Sequence, residues 1–324
     1  MLELTADNAP GYLRARGEPV PRAVRELGGG VSNIVLLVET DERPFVLKQS
    51  LRKLRVEQDW FSDPDRIFRE SAGLRLLAPY LPPGSVPEVL FEDRDNYLFA
   101  MSAAPADAET WKAQLMRGEI RPEIAARIGG MLAAMLRASW RSAQWEDRFG
   151  DQAVFDQLRL DPYYRSTARR HPDLAPQFER LMRESAARRV SVVHGDWSPK
   201  NFLVRGDRVM AIDFEVIHFG DPSFDAAFLV NHLALKSFLR PTDRDAYRTA
   251  ALQFMESLRA GLPEGCDWLD HATRAHLGAL MLARVDGKSP AEYLDPALQV
   301  RVRAVARDLI VRPAASVAEV FDRI

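Results

Sequence analysis

From Leu27 the chain reads LGGGVSNIVLLVETDERPFVLKQS, a glycine turn followed by a β-rich run over 31–38, a polar turn and a second run over 45–48. That pattern predicts a hairpin, with a short helical segment before it. In DPDRIFRESAGLRLLAPYL, Ile67, Leu74 and Leu77 recur at helical spacing, with Asp63-Pro64 as a start signal and Pro79, then Pro82-Pro83, as stops. Further strands are predicted near 86–91 and 97–101, which completes a small mixed sheet carrying one helix. The small residues and proline of SAAPADA, residues 102–108, mark a linker. Beyond Trp111 the pattern turns helical, with Ile124, Ile128, Leu132, Met135 and Leu136 on one stripe and further stripes near 178–182 and 277–283. The clear β element there is a hairpin: 202–204, the turn Arg205-Gly206-Asp207-Arg208, then 209–212. The expectation is an α+β chain of two lobes, a small one over 1–102 and a larger, mostly helical one over 103–324.

Composition narrows the classes of function. The 324 residues suffice for two lobes with a buried core, and 47% hydrophobic with 28% charged residues describes an ordinary globule. Lysine and arginine total 44 against 46 acidic residues, a formal charge of −2, which argues against a large basic surface for nucleic acid. The most apolar windows, IGGMLAAML and LGALMLA, are far shorter than the roughly twenty residues that span a bilayer. Glu3 and Asp7 stand where a secretory signal would be basic and then apolar, so a cytoplasmic location with no membrane partner is expected. Cys266 is the single cysteine and reads as an incidental thiol.

The richest chemistry lies in VVHGDWSPKNFLVRGDRVMAIDFE. Asn201 and Asp213 stand at the two ends of the predicted hairpin, so antiparallel pairing should bring them to neighbouring positions. An amide oxygen and a carboxylate facing one space suit Mg²⁺, which prefers oxygen ligands and is commonly held by one or two protein groups plus phosphates. Asp196, in the turn leading into the hairpin, is placed to orient or accept the proton of an attacking hydroxyl. His194 reads as a hydrogen-bonded scaffold. In the first lobe, Lys48 ends a strand and Glu70 sits on the apolar face of the next helix, three residues after Ile67 and four before Leu74. An unpaired carboxylate there is costly, and Lys48 is the simplest partner. Such a pair would hold an ammonium against nucleotide phosphates, near the backbone of Gly28, Gly29, Gly30, Ser32 and Asn33.

These residues resemble the kinase-like fold of the aminoglycoside phosphotransferase superfamily of small-molecule kinases, on the match HGDWSPKN at 194–201, the strand lysine, the helix glutamate and the glycine turn. Asp213-Phe214-Glu215, the stretch FGDPSFDAAFLVNHLAL and the Trp60 loop after Lys48 look most like the 5-methylthioribose kinase branch. The resemblance covers roughly residues 27–285. It implies a protein-kinase-like bilobal fold and transfer of the ATP γ-phosphate, with Mg²⁺, to a hydroxyl of a sugar or sugar-like metabolite. Asp196 would be the catalytic carboxylate, Asn201, Asp213 and Glu215 metal contacts, and Gly29, Gly30, Ser32, Asn33, Lys48, Glu70 and Met101 the nucleotide site.

Lys200 would reach the γ-phosphate or stay a solvated turn lysine. Trp60 and Trp197 would flank the acceptor or pack; Asp221 and Asp225 would bind it or serve as cap and structural acceptor. Arg284 is followed by Val285 where that branch carries two adjacent arginines, which points to a relative with a different hydroxyl acceptor. Aminoglycoside, choline or homoserine phosphotransfer is the enzymatic alternative, and a catalytically inactive nucleotide-binding module the alternative of another class. A protein kinase is disfavoured, since Asp213-Phe214-Glu215 replaces D-F-G and no A-P-E closes an activation segment.

Overall fold

A computed structural model describes residues 2–28, 32–53 and 61–324. Its first lobe is a five-stranded sheet in the order β1-β2-β3-β5-β4, built from β1 (Ala23–Glu26), β2 (Asn33–Glu39), β3 (Phe45–Ser50), β4 (Val89–Asp93) and β5 (Leu98–Ser102). Helix α1 (Ala9–Ala15) precedes it, and α2 (Arg66–Leu77) links β3 to β4. The sheet is antiparallel throughout rather than mixed. The chain leaves β3 through α2, enters the far edge as β4, and returns beside β3 as β5 running the other way.

Strand alternation fixes which side chains meet which helix. Phe45 and Leu47 of β3, with Leu98 and Ala100 of β5, join Leu4, Ala9 and Leu13 in an outer core under α1. The intervening Val46, Phe99 and Met101 join Ile67, Leu74 and Leu77 on the opposite side, under α2. Lys48 shares the parity of Val46 and therefore points at α2, the helix that carries Glu70.

The larger lobe packs α3 (Pro122–Ser139), α4 (Ser223–Leu239), α5 (Arg244–Ala260), α6 (Leu269–Asp286) and α7 (Pro296–Val311). Close approach of two pairs needs glycine. A Cβ on Gly129 of α3 would meet the Phe254 carbonyl oxygen at 2.3 Å, and one on Gly278 of α6 would meet the Ile310 nitrogen at 2.7 Å. Two small sheets lie against these helices. One joins β6 (Glu109–Thr110) to the hairpin β8 (Phe202–Arg205) and β9 (Arg208–Ala211); the other pairs β7 (Ser191–Val193) with β10 (His218–Gly220). Among the described residues, no helix is long and apolar enough to cross a membrane.

Candidate active site

The loop from β7 into β8, residues 194–201, is held from several sides. Gly195 has φ +78°, and a Cβ there would meet Val216 at 2.7 Å, so this position needs glycine on both counts. In the first turn of α4, the Asp225 carboxylate accepts from the His194 N–H (2.6 Å) and the Gly195 N–H (2.9 Å). Burial pushes Asp225 up to about 7 against those bonds. His194 accepts from the Asp196 N–H at Nδ1 (3.1 Å) and donates from Nε2 to the Ile212 carbonyl (3.1 Å). Burial lowers this imidazole to about 4, so it stays neutral and ties the loop to the end of β9.

The Asp196 carboxylate is 4% exposed. Its Oδ1 accepts from Ser198 Oγ (3.1 Å), and its Oδ2 faces Lys200 Nζ (2.9 Å) and Arg159 Nη2 (3.0 Å). Burial alone would raise its pKa, but Lys200 and Arg159 outweigh it and hold the group well below the usual carboxylate range. Arg159 was not visible to sequence reasoning. It lies in the segment Asp156–Arg165, which winds as a π-helix around Pro162, and its Nε donates to the Gly195 carbonyl at 2.5 Å.

Asn201 and Asp213 do meet at the base of the hairpin. The Ile212 N–H donates to the Asn201 carbonyl (3.0 Å), and Asp213 follows with φ +67°, a strained conformation for a residue with a side chain. Asn201 Nδ2 donates to the Asp196 carbonyl (2.9 Å), which leaves the amide Oδ1 as the atom for a cation. Across the cleft, Lys48 Nζ lies 2.6 Å from Asp213 Oδ1 and 2.9 and 2.7 Å from the two Glu70 oxygens. Burial opposes the ammonium, yet Asp213 and Glu70 together hold its pKa above the ordinary lysine value. Burial likewise pushes Glu70 up to about 7 despite Lys48, while Lys48 and Lys200 hold Asp213 below its ordinary value against burial. Among the described residues no cluster of three or more His, Cys, Asp or Glu could hold a metal alone. Two oxygens, Asn201 Oδ1 and an Asp213 carboxylate oxygen, nevertheless fit an ion that completes its shell with phosphates and water.

Glu215, Ser32 and Asn33 are brought together differently from expectation. Glu215 Oε1 accepts from Ser32 Oγ (2.8 Å), and Oε2 accepts from Asn33 Nδ2 (3.0 Å) and Arg66 Nε (3.0 Å). Its oxygens are therefore engaged with protein donors rather than turned to the Asn201–Asp213 pair, and Ser32 and Asn33 hold Glu215. Arg66, also unforeseen, is fully enclosed and bonds the carbonyls of Ser32 (2.5 Å) and Leu51 (3.0 Å) as well. Its surrounding sequence is an ordinary helix start, and only long-range partners reveal it.

The remaining expected residues disperse. Trp197 is fully enclosed, edge-on to Phe202 (4.7 Å) and His194 (5.3 Å); the turn at Gly195 sends the indole into the hairpin core, not to an acceptor surface. Asp221 is likewise enclosed and accepts from the Ser223 N–H (3.0 Å) and Oγ (2.6 Å), which makes it a cap of α4. Met101 lies in the core beneath α2. Arg284 is 8% exposed and donates to Tyr163 Oη (3.3 Å) and Ser289 Oγ (2.9 Å). Gly29, Gly30 and Trp60 lie outside the described residues.

A small antiparallel lobe with a buried Lys–Glu pair, set over a helical lobe that presents an aspartate loop and a strand-end Asn–Asp pair, is a kinase-like architecture. Residues 23–263 match the model of the phosphotransferase enzyme family, and the chain belongs to that family. It is 27% identical over 276 residues to a methylthioribose kinase of Escherichia coli, covering 74% of this chain and 65% of that one. It is 26% identical over 267 residues to methylthioribose kinase 2 of Oryza sativa subsp. japonica, covering 72% and 62%. The chain thus spans a little under two thirds of these relatives' lengths. The solved ternary complex of streptomycin, ATP and APH(2")-IIa superposes with a TM-score of 0.51 at 15% identity, over 99% of both chains, a likeness of fold.

Proposed function

We propose that the protein is an ATP- and Mg²⁺-dependent kinase that phosphorylates a hydroxyl of a small sugar or sugar-like metabolite. The observation that carries this reading is the meeting of Lys48, Glu70 and Asp213 within 2.6–2.9 Å, beside a loop that fixes Asp196 and Asn201. Nucleotide would lie between the small lobe, residues 1–102, and the larger one, 103–324, with Glu70 holding the Lys48 ammonium against its phosphates. Asn201 and Asp213 would hold Mg²⁺, which when bound with nucleotide neutralises phosphate charge.

Asp196 stays ionised in its Lys200–Arg159 setting, so it accepts a hydrogen bond from the acceptor hydroxyl and fixes its line of attack. So acidic a carboxylate is a poor base toward the ground-state alcohol. In a loose phosphoryl-transfer transition state positioning supplies most of the catalysis, and the proton can leave late. Lys200, half exposed at the rim, adds positive charge where the transferred group passes. The methylthioribose kinase relatives favour a sugar acceptor, and Arg284-Val285 in place of paired arginines favours one other than methylthioribose.

The test is Mg²⁺-dependent ADP release from ATP across methylthioribose, other sugars, aminoglycosides, choline and homoserine, with Asp196→Ala as control. That substitution should lower kcat by about 10²–10⁴-fold while ATP still binds. Turnover like wild type in Asp196→Ala would remove Asp196 from its role.

A further inference from the structure

The larger lobe holds a cationic site that phosphoryl transfer alone does not explain. Along α4, Asp225, Phe228, His232 and Lys236 follow at intervals of three, four and four residues, a single helical stripe. Asp225 clamps the catalytic loop at one end of it. The Arg159 guanidinium, paired with Asp196, lies 5.9 Å from the ring centres of both Tyr163 and Phe228. Phe228 meets the His232 ring at 5.1 Å, and Arg284 stands 6.0 Å from the Tyr163 ring. His232 in turn feels the charges of Asp196, Lys200, Lys236 and Arg284. A continuous run of contacting side chains therefore leads from the catalytic carboxylate to Lys236 and Arg284.

The far end of that run is short of negative charge among the described residues. Lys236 is 1% exposed, and its Nζ donates to the His232 carbonyl of its own helix (3.3 Å) and lies 5.3 Å over the Tyr293 ring. No carboxylate among the described residues pairs with it. Glu292, the acidic group in reach, is already bonded to Lys112. Arg284 Nε and Tyr293 Oη are enclosed without a partner. A buried ammonium without a counter-charge is costly, and burial together with Lys112 and Arg284 pushes Lys236 down to about 7. An anion between these donors would relieve that cost.

We propose that the acceptor carries a carboxylate or phosphate group held by Lys236 and Arg284 while its hydroxyl lies at Asp196. This rests on the kinase reading and names its substrate class: a sugar acid or sugar phosphate, not a polycation. Lys236 leans back one helical turn, about 5 Å, toward His232, the residue that feels both its charge and that of Asp196.

Calorimetric titration of the full chain with AMP-PNP and Mg²⁺ tests it, using ribose 5-phosphate and gluconate against ribose, streptomycin and inorganic phosphate. At least one of the two anionic sugars should bind about tenfold or more tighter than ribose and than inorganic phosphate, and Lys236→Met should erase that preference. Lys236→Gln is the second variant should the first fail to fold. Equal binding of ribose, tighter binding of streptomycin, equal binding of inorganic phosphate, or a preference that survives at Lys236 variants would each overturn the proposal. ADP release on the same compounds separates the two readings. Silence with charge-selective binding sinks the kinase and leaves the anion site, whereas turnover without charge preference sinks the anion site alone.

Discussion

His218 on β10 stacks on Phe155 at 4.0 Å and donates from Nδ1 to the Val216 carbonyl at 3.0 Å. Burial lowers its pKa to about 3. Between that value and the unfolded value near 6.5, the unfolded chain binds the proton and the native one does not, so this residue's contribution to stability is lost as pH falls. Removing the imidazole removes that loss. Relative to wild type, His218→Phe should therefore gain about 2 kcal/mol between about pH 7.5 and about pH 5, whatever its offset at neutral pH. Urea unfolding at both values measures it, and a constant difference would show that the imidazole is not held neutral.

Glu70 and Asp225, both raised to about 7, act with the opposite sign over much of that range, which is why the single-residue difference is the informative quantity. At this scale the sequence was legible where chemistry and spacing are local: Asp196 with Asn201, or Glu70 on an apolar helix face. Arg159, Arg66, His232 and Lys236 carry no such signal, because each acquires its meaning from partners distant in the chain.

Elements were legible where the period was clear and obscure where it was not. The two hairpins, α2 and the stripe of α3 follow from apolar spacing. By contrast β1, with the sequence AVRE and little burial, is a charged edge strand without a hydrophobic face to announce it. The sheet is antiparallel where a mixed one is expected, since strand runs show nothing of the order or direction in which they pair. The packing of α3 on α5 depends on one position that pattern alone does not single out. Gly129→Ala would drive a methyl group onto the backbone of Phe254 and should cost about 1–3 kcal/mol. Gly130, one residue on, has nothing within 4 Å of its added Cβ, so Gly130→Ala should be stabilising by up to about 1 kcal/mol through helix propensity. Guanidinium denaturation of the two variants decides the matter, and equal effects would mean the helices are not in that close contact.

The whole molecule is joined through a few buried charges that reach from the small lobe to residues 213–217. Lys48 meets Asp213, while Arg69 donates to the Asp151 carbonyl at 2.7 Å and the Ile217 carbonyl at 3.2 Å. Ser32, Asn33 and Arg66 all converge on Glu215. The last of these joints links Ser32 and Asn33 at the start of β2, the start of α2 and the segment after β9 in one network. Its strength is therefore that of the lobe junction itself.

Removing either Arg66 or Glu215 leaves the other as an enclosed, uncompensated charge, which should cost about 3–5 kcal/mol. Removing both eliminates that penalty, so Arg66→Leu with Glu215→Leu should cost less than the sum of the single variants, with a coupling of about 1–3 kcal/mol. The cycle is read from urea unfolding with and without ATP and Mg²⁺. Additive single effects would mean that Arg66 and Glu215 act independently and that the junction rests on the Lys48 and Arg69 contacts instead. Coupling in both conditions would make Glu215 an architectural residue. Coupling that vanishes on adding nucleotide and metal would show that Glu215 leaves Arg66 when the site fills, which would free its carboxylate for a bound cation.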